Sequence, residues 1–360
     1  MNVLYLINYA GSGGTERYLF DLAANYARGK VFFIYNAGGR LREKISEAGI
    51  DAARVKMRGP LDIIAARRVA KYCARHNIKI IHTQFMRETY IALLAKLMLK
   101  NKIKIVYTCH IDAECNFIWR ILNSALGKGI DRYIAVCGAV RRTMIKNKMP
   151  ADKITIIHHG VGPSPEPGTD IRGEAGIGAD EFIFATLTRF TPEKGAAFLL
   201  TAIKKLKDMT SAPFRVLIAG EGPQFAELRE LAAEYGIERE AVFLGYRTDS
   251  GNVLASAAVY LNTSESECLS YAILEAIGRG LPVIATDAGG NPDIVNDEYG
   301  CGFTVRYGDA DALAERMLAF MNDAALVKET GERAKKTAAE KFDAARLRGE
   351  TYKLYNVLDD

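Results

Sequence analysis

The feature that most constrains this chain is an alternation of short β-rich apolar runs with helically spaced stretches, and it occurs twice. In the first half the runs 3–8, 31–35, 78–82, 103–109, 132–136 and 154–157 are separated by stretches such as 17–27, 63–76, 90–99 and 139–146, whose apolar residues recur at helical spacing. Strands alternating with helices predict a parallel sheet covered on both faces. After Ile157 the segment HHGVGPSPEPGTD (158–170) is dense in proline and glycine and reads as a linker. The alternation then restarts, with strands expected at 182–188, 214–219, 241–244, 259–261 and 283–286 and helices at 193–206, 224–235, 270–279 and 310–320. Each half opens on the same unit of strand, glycine-bearing loop and helix, VLYLINYAGSGGTERYLFDLA and FIFATLTRFTPEKGAAFLLTAI. The fold expected is α/β, two Rossmann-like domains facing each other across a cleft. Ligands in such sheets bind beyond the carboxyl ends of the strands.

Charge separates the halves. Residues 1–163 hold 27 Lys and Arg against 11 Asp and Glu, a balance of +16, whereas the remainder holds 21 against 32, a balance of −11. Such asymmetry points to two domains with different partners. The six cysteines form no Cys-x-x-Cys pair and no zinc-spaced cluster, which suits a reducing compartment. The start MNVLYLINYA lacks a basic segment and a small-residue cleavage site, and no apolar run approaches the roughly 18 residues needed to span a bilayer. A cytoplasmic protein is expected.

The chemistry concentrates in SESECLSYAILEAIGRGLPVIATDAGG (264–290), where Glu267 sits among small polar residues and Glu275 inside an apolar helical stretch. Eight residues of continuous helix would part the two carboxylates by about 12 Å of rise and about 80° of rotation. Ser270 is a plausible cap, which puts Glu267 in the loop before the helix and Glu275 about a turn and a half inside it. The free N–H groups of Leu269–Ala272 then make an anion site. TRFTPEKG supplies cations: Arg189 follows a strand end and Lys194 precedes a helix, a pair suited to a diphosphate. In NYAGSGGTE the glycines at 11, 13 and 14 let the backbone approach a phosphate. Glu16 stands where a dinucleotide fingerprint needs its third glycine, and no Lys-Ser/Thr follows as in a P-loop. Asp309-Ala-Asp311 reads as a helix cap rather than a metal pair.

Taken in order, GGTER, IAVCGAVRRTMI, IIHHGV, RFTPEKG, LIAGEGP, VFLGYR and SESECLSYAILEAIGRGLPVIATDAGGNPDIV resemble the retaining glycosyltransferases of family 4, which have the GT-B fold. The resemblance runs through nearly the whole chain. It implies an acceptor-side domain at 1–163, a nucleotide-sugar-binding domain at 164–340, and a last helix at 341–360 returning to the first domain. It implies catalytic roles for Glu267, which would hold hydroxyls of the transferred sugar, and for His110, near that sugar. Glu275 would bind the ribose, and Arg189 and Lys194 the diphosphate, with the backbone of Gly13, Gly14, Cys268, Leu269 and Ser270. Tyr246 and Arg247 would line the base. Cys268-Leu269-Ser270 replaces the family's Gly-Phe-Gly and adds side chains beside the sugar; Asp293 stands where the family usually has Glu.

The reaction implied moves a hexose or amino-hexose from a UDP- or GDP-linked sugar, bound as substrate, to an acceptor hydroxyl with retention. No cofactor or metal is expected. A nucleotide-sugar 2-epimerase and a non-catalytic sugar-nucleotide-binding protein are the alternatives. The expected partners are the donor, a glycan or lipid-linked acceptor, and an anionic membrane surface. The last follows from cation-apolar clusters at 67–75, 96–104 and 141–148, which would hold the protein on the cytoplasmic face of a membrane. A nucleic-acid partner is not expected, because the basic half carries no recognition motif.

Overall fold

The structure is a computed structural model and describes residues 1–11, 13–100, 102–163 and 168–359. It divides into two compact units, Met1–His159 with Ala344–Asp360, and Gly160–Asp343. The units therefore part within the Pro-Gly segment expected as the linker, ahead of the domain boundary expected at 163/164; residues 164–167 of that segment lie outside the described residues. A physical tie accounts for this: the Val161 N–H donates to the Phe342 carbonyl at 2.9 Å, so both chain crossings are fastened within the second unit.

The first unit contains a parallel sheet of β1 (Asn2–Tyr9), β2 (Val31–Ala37), β3 (Asp51–Arg54), β4 (Ile78–Thr83), β5 (Lys104–Cys109), β6 (Arg132–Ala135) and β7 (Ile154–Ile156), in the order β3-β2-β1-β4-β5-β6-β7. Val3–Ile7 of β1 are fully buried, as a central strand covered on both faces requires. The second unit repeats the order. β8 (Phe182–Leu187), β9 (Phe214–Ala219), β10 (Ala241–Gly245), β11 (Val259–Asn262), β12 (Val283–Thr286) and β13 (Gly302–Val305) run β10-β9-β8-β11-β12-β13. In each sheet the strand order reverses once, at β1/β4 and at β8/β11. These switch points are where open α/β sheets leave a crevice at their carboxyl edge.

Two helices differ from expectation in a way that shapes the site. The helix expected at 193–206 is Ala196–Met209, preceded by a 3₁₀ turn Pro192–Lys194. Gly195 separates them at φ +66°, and a Cβ there would overlap the Thr263 carbonyl. The first helix is Gly14–Ala24, beginning beside Thr15, where the glycine loop is expected to end, and ahead of the apolar-periodic stretch 17–27, because the Glu16 carboxylate folds back onto the amide of Gly13 and sets the start there. The described residues also include elements outside the expected runs: the polar edge strand β3, and the helices Arg40–Glu47 and Phe117–Leu126.

The terminal helix Ala344–Asp359 belongs with the first unit. Arg348 pairs with Asp21 at 2.8 Å, the Tyr352 hydroxyl donates to the Leu22 carbonyl at 2.6 Å, and the fully buried Tyr355 hydroxyl meets His82 Nδ1 at 2.5 Å. No helix among the described residues is long and apolar enough to cross a membrane.

Candidate functional site

At the β8/β11 switch point the loops after the two strands are laced together. Lys194 Nζ lies 2.6 Å from Glu267 Oε2, with both side chains largely withdrawn from solvent, and the Ser264 hydroxyl donates to the same oxygen at 3.1 Å. The Thr263 hydroxyl donates to the Lys194 carbonyl at 3.4 Å, and the Glu265 N–H to the Glu193 carbonyl at 2.9 Å. A lysine and a glutamate 73 positions apart thus meet at one strand edge. The ammonium keeps donors in excess of the one that Glu267 takes.

Ser270 caps the helix Tyr271–Gly278, its hydroxyl accepting from the Ile273 N–H at 3.4 Å, so the helix begins immediately after Leu269-Ser270. The positive end of its dipole and its first N–H groups therefore lie three residues beyond Glu267. Glu275 is partly buried on this helix between the buried Leu274 and Ala276, Cys268 is partly buried, and Leu269 is buried. Arg189 is mostly exposed, its guanidinium 3.8 Å from Glu193.

Support for this loop comes from residues that the sequence reading did not select. Asn291 donates to Asn262 Oδ1 at 3.0 Å and to the Thr286 carbonyl at 3.1 Å, while the Thr286 hydroxyl donates to the Ser264 carbonyl at 2.5 Å. Gly289, at φ +53°, packs so closely that a Cβ would overlap the Glu267 carbonyl. Tyr260 on β11 is fully buried, and its hydroxyl donates to the Leu187 carbonyl at 3.3 Å, fixing the end of β8 just before Arg189. Burial pushes the pKa of that phenol up, and the nearby charges of Glu267 and Glu275 push it further. The signal in the sequence for Gly289 and Asn291 is the run DAGGN (287–291), but their partners Glu267 and Asn262 are distant in the chain.

The residues expected to line the base, Tyr246 and Arg247, follow β10. Arg247 is held by Glu174 at 2.7 Å and by Asp249 at 2.8 Å, and the hydrogen bonds to Asp249 and Glu174 push its pKa up further. Tyr246 is exposed. Asp309 caps the helix Ala310–Asn322 by accepting from the Ala312 N–H at 3.0 Å, while Asp311 pairs with Lys205 at 2.7 Å.

In the first unit, Gly13 and Gly14 are exposed at the start of their helix. The loop amides already have an anionic partner: Gly11 N–H donates to Glu16 Oε1 at 3.2 Å and Gly13 N–H to Oε2 at 2.9 Å. His110 stands just past β5, its Nε2 2.9 Å from Gln84 Oε1. Tyr18 meets its ring edge-on at 5.1 Å and His159 lies 5.4 Å away. Burial, with a smaller contribution from His82, pushes the His110 pKa down to about 3, so the ring is neutral at neutral pH.

Sequence comparison matches residues 168–337 to the family described as glycosyl transferases group 1 and residues 12–164 to that described as glycosyltransferase family 4. The chain is 27% identical to N-acetyl-alpha-D-glucosaminyl L-malate synthase of Bacillus anthracis, over 84% of this chain and 81% of that protein. It is also 27% identical, over 48% of this chain and 46% of the relative, to an Escherichia coli UDP-Gal:alpha-D-GlcNAc-diphosphoundecaprenol alpha-1,3-galactosyltransferase. Among solved structures, the Anabaena protein HepE in complex with UDP superposes with a TM-score of 0.88 at 20% identity, covering 99% of this chain and 100% of that one.

Proposed function

Since the chain belongs to the group 1, family 4 glycosyltransferases and has their GT-B fold, we propose that it transfers a hexose or amino-hexose from a nucleoside-diphosphate sugar to an acceptor hydroxyl with retention of configuration. The observation that carries this reading is the Lys194–Glu267 pair lying directly before the Ser270-capped helix at the β8/β11 switch point. As the diphosphate departs it gains negative charge, and preorganised donors aimed at such charge are usually the largest catalytic contribution. Lys194, Arg189 and the N–H groups at the start of helix Tyr271–Gly278 are those donors, which leaves no step requiring a metal. Glu267 takes hydroxyls of the transferred sugar and Glu275 those of the ribose. Gly13, Gly14 and His110 carry the part assigned to the first unit. UDP is favoured as the nucleotide by the relatives' own names, one a UDP-galactose enzyme and one a fold neighbour bound to UDP.

The acceptor proposed is a glycan or a lipid-linked saccharide, worked on at the cytoplasmic face of an anionic membrane. Besides the basic character of residues 1–163, the helix Phe117–Leu126 supports this: Phe117 is 76% exposed, Ile118 66% and Ile121 52%. Lys146 lies beside it, 3.0 Å from Glu114, and Asn147 is hydrogen-bonded to Cys115 and Asn123. Calorimetry with UDP and GDP tests the donor site. Lys194→Ala and Glu275→Ala are each expected to weaken nucleotide binding about 10- to 100-fold, the loss of charge-assisted bonds of roughly 1.5–3 kcal/mol. Unchanged affinity in both variants overturns the assignment, and formation of an epimer from donor alone would favour the epimerase.

A further inference from the structure

Gln84 follows β4 and His110 follows β5, so two neighbouring strands present them together at the carboxyl edge of the first sheet, next to its switch point. The side-chain oxygen of Gln84 lies 2.9 Å from His110 Nε2. An amide oxygen only accepts, so Nε2 carries the proton of the neutral ring and Nδ1 presents a lone pair. That Nδ1 is buried and has no hydrogen-bond partner among the described residues, and the same holds for Gln84 Nε2. His82 provides the contrast within one sheet. Its Nδ1 meets the Tyr355 hydroxyl at 2.5 Å and its Nε2 the Thr108 hydroxyl at 2.6 Å, so both of its nitrogens are satisfied internally. Buried polar atoms left open at a switch point await a ligand group, since the protein interior supplies none.

We propose that Gln84 is a positioning residue for His110: its side-chain carbonyl fixes the imidazole as the Nε2–H tautomer and reserves Nδ1 to accept a hydrogen bond from a hydroxyl of the bound sugar. Without the Gln84 acceptor the proton can move to Nδ1, which then turns a donor toward that hydroxyl and misaligns it. The rings of Tyr18 and Phe85, 5.1 and 6.4 Å from His110, restrain the imidazole but do not choose its tautomer, because Phe85 has no polar atom and the Tyr18 hydroxyl is engaged with Thr108 at 3.1 Å. Gln84, fully buried, sets the tautomer through the side-chain oxygen that it turns to His110. The proposal rests on the reading of His110 as a sugar-binding residue.

The test is a long-range ¹H–¹⁵N correlation spectrum of the full chain labelled in histidine, with the His110 signals identified by their loss in His110→Gln. The wild type is expected to show a protonated Nε2 and an unprotonated Nδ1. Gln84→Leu is expected to shift the proton to Nδ1 or mix the tautomers. It should lower kcat about tenfold or more, the value of one lost hydrogen bond of about 1.5 kcal/mol, while leaving the KM for nucleotide sugar within about twofold. Gln84→Glu, which keeps an acceptor, should retain the Nε2–H tautomer and recover most of kcat. A wild-type ring protonated at Nδ1 overturns the proposal, as does a Gln84→Leu protein with the wild-type tautomer. Should Gln84→Leu fail to fold, the wild-type and Gln84→Glu spectra decide, since both must show Nε2–H. Failure of the underlying reading shows separately: His110→Gln would then turn over as fast as the wild type, whatever the tautomer.

Discussion

Glu88 is a carboxyl with no exposed surface, three residues into the helix Met86–Met98 of the first unit. Burial pushes its pKa up from 4.5 to about 7, against weaker opposing pulls from the backbone of Glu88 and Asn8 and the charge of Arg87. The sign of the consequence follows from linkage. A carboxyl whose folded pKa lies above its unfolded value favours the folded state at low pH, and that contribution is lost as pH rises from about 4.5 through about 7. The loss is on the order of 3 kcal/mol once the group is fully ionised, at about 1.4 kcal/mol per pKa unit. Glu88→Gln, which is neutral throughout, is expected to remove this fall, so the gap in melting temperature between variant and wild type should widen in the variant's favour between pH 5 and pH 8. A gap that stays constant across that range would show that Glu88 is ionised without penalty. The polarity of this residue is plain in the sequence; its burial is not, because the helical stretch expected at 90–99 leaves Arg87 and Glu88 outside it as an adjacent charged pair.

At the scale of elements, the helix Phe117–Leu126 inverts the usual rule. Asn116 caps it by accepting from the Trp119 N–H at 3.1 Å, and Trp119 and Asn123 anchor it to Tyr90, the first through rings 5.6 Å apart and the second through a 2.8 Å hydrogen bond from the tyrosine hydroxyl. Polar Asn123 is buried while Phe117, Ile118 and Ile121 face outward. Apolar side chains with Lys146 and Arg120 beside them, both paired with Glu114, fit the surface of an anionic bilayer, where each basic residue adds about 1 kcal/mol near the headgroups. Phe117→Ser with Ile118→Ser is expected to cut binding to phosphatidylserine-containing vesicles at least about fivefold, losing roughly 1–3 kcal/mol of apolar burial, while leaving the melting temperature unchanged. Binding should also fall with added salt. Wild-type protein that ignores anionic vesicles, or partitions equally onto neutral ones, defeats the membrane reading. The elements missed in the sequence differ in cause: the edge strand β3, Asp-Ala-Ala-Arg, has no apolar run, Arg40–Glu47 is short and buries only Leu41 and Ile45, and the periodicity of Phe117–Leu126 does not say that its apolar side faces outward.

At the scale of the whole molecule, the first unit is discontinuous, completed by a helix that begins at Ala344, after the 184 residues of the second unit. Tyr355 belongs to that helix yet sits fully buried against Tyr5 and His82. Tyr355→Ala is expected to cost about 3–5 kcal/mol, as aromatic truncations in cores do. Hydrogen exchange should register the loss across residues 1–159 and leave protection within 160–343 unchanged; a uniform loss would mean that the units unfold as one. Periodicity, capping and motif order are properties of neighbouring residues, so the sequence alone determined the two parallel α/β sheets, the Ser270 and Asp309 caps and the glycosyltransferase family. Tertiary structure decided which side chains meet. Lys194 finds Glu267, Gln84 finds His110 and Tyr355 finds His82 across separations of 73, 26 and 273 residues. It also decided that Arg247 is engaged by Glu174 and Asp249, and that the Gly11 and Gly13 amides hold Glu16. Such pairings depend on which strand ends the sheet order brings side by side, and that order is a property of the packed chain rather than of any local stretch of it.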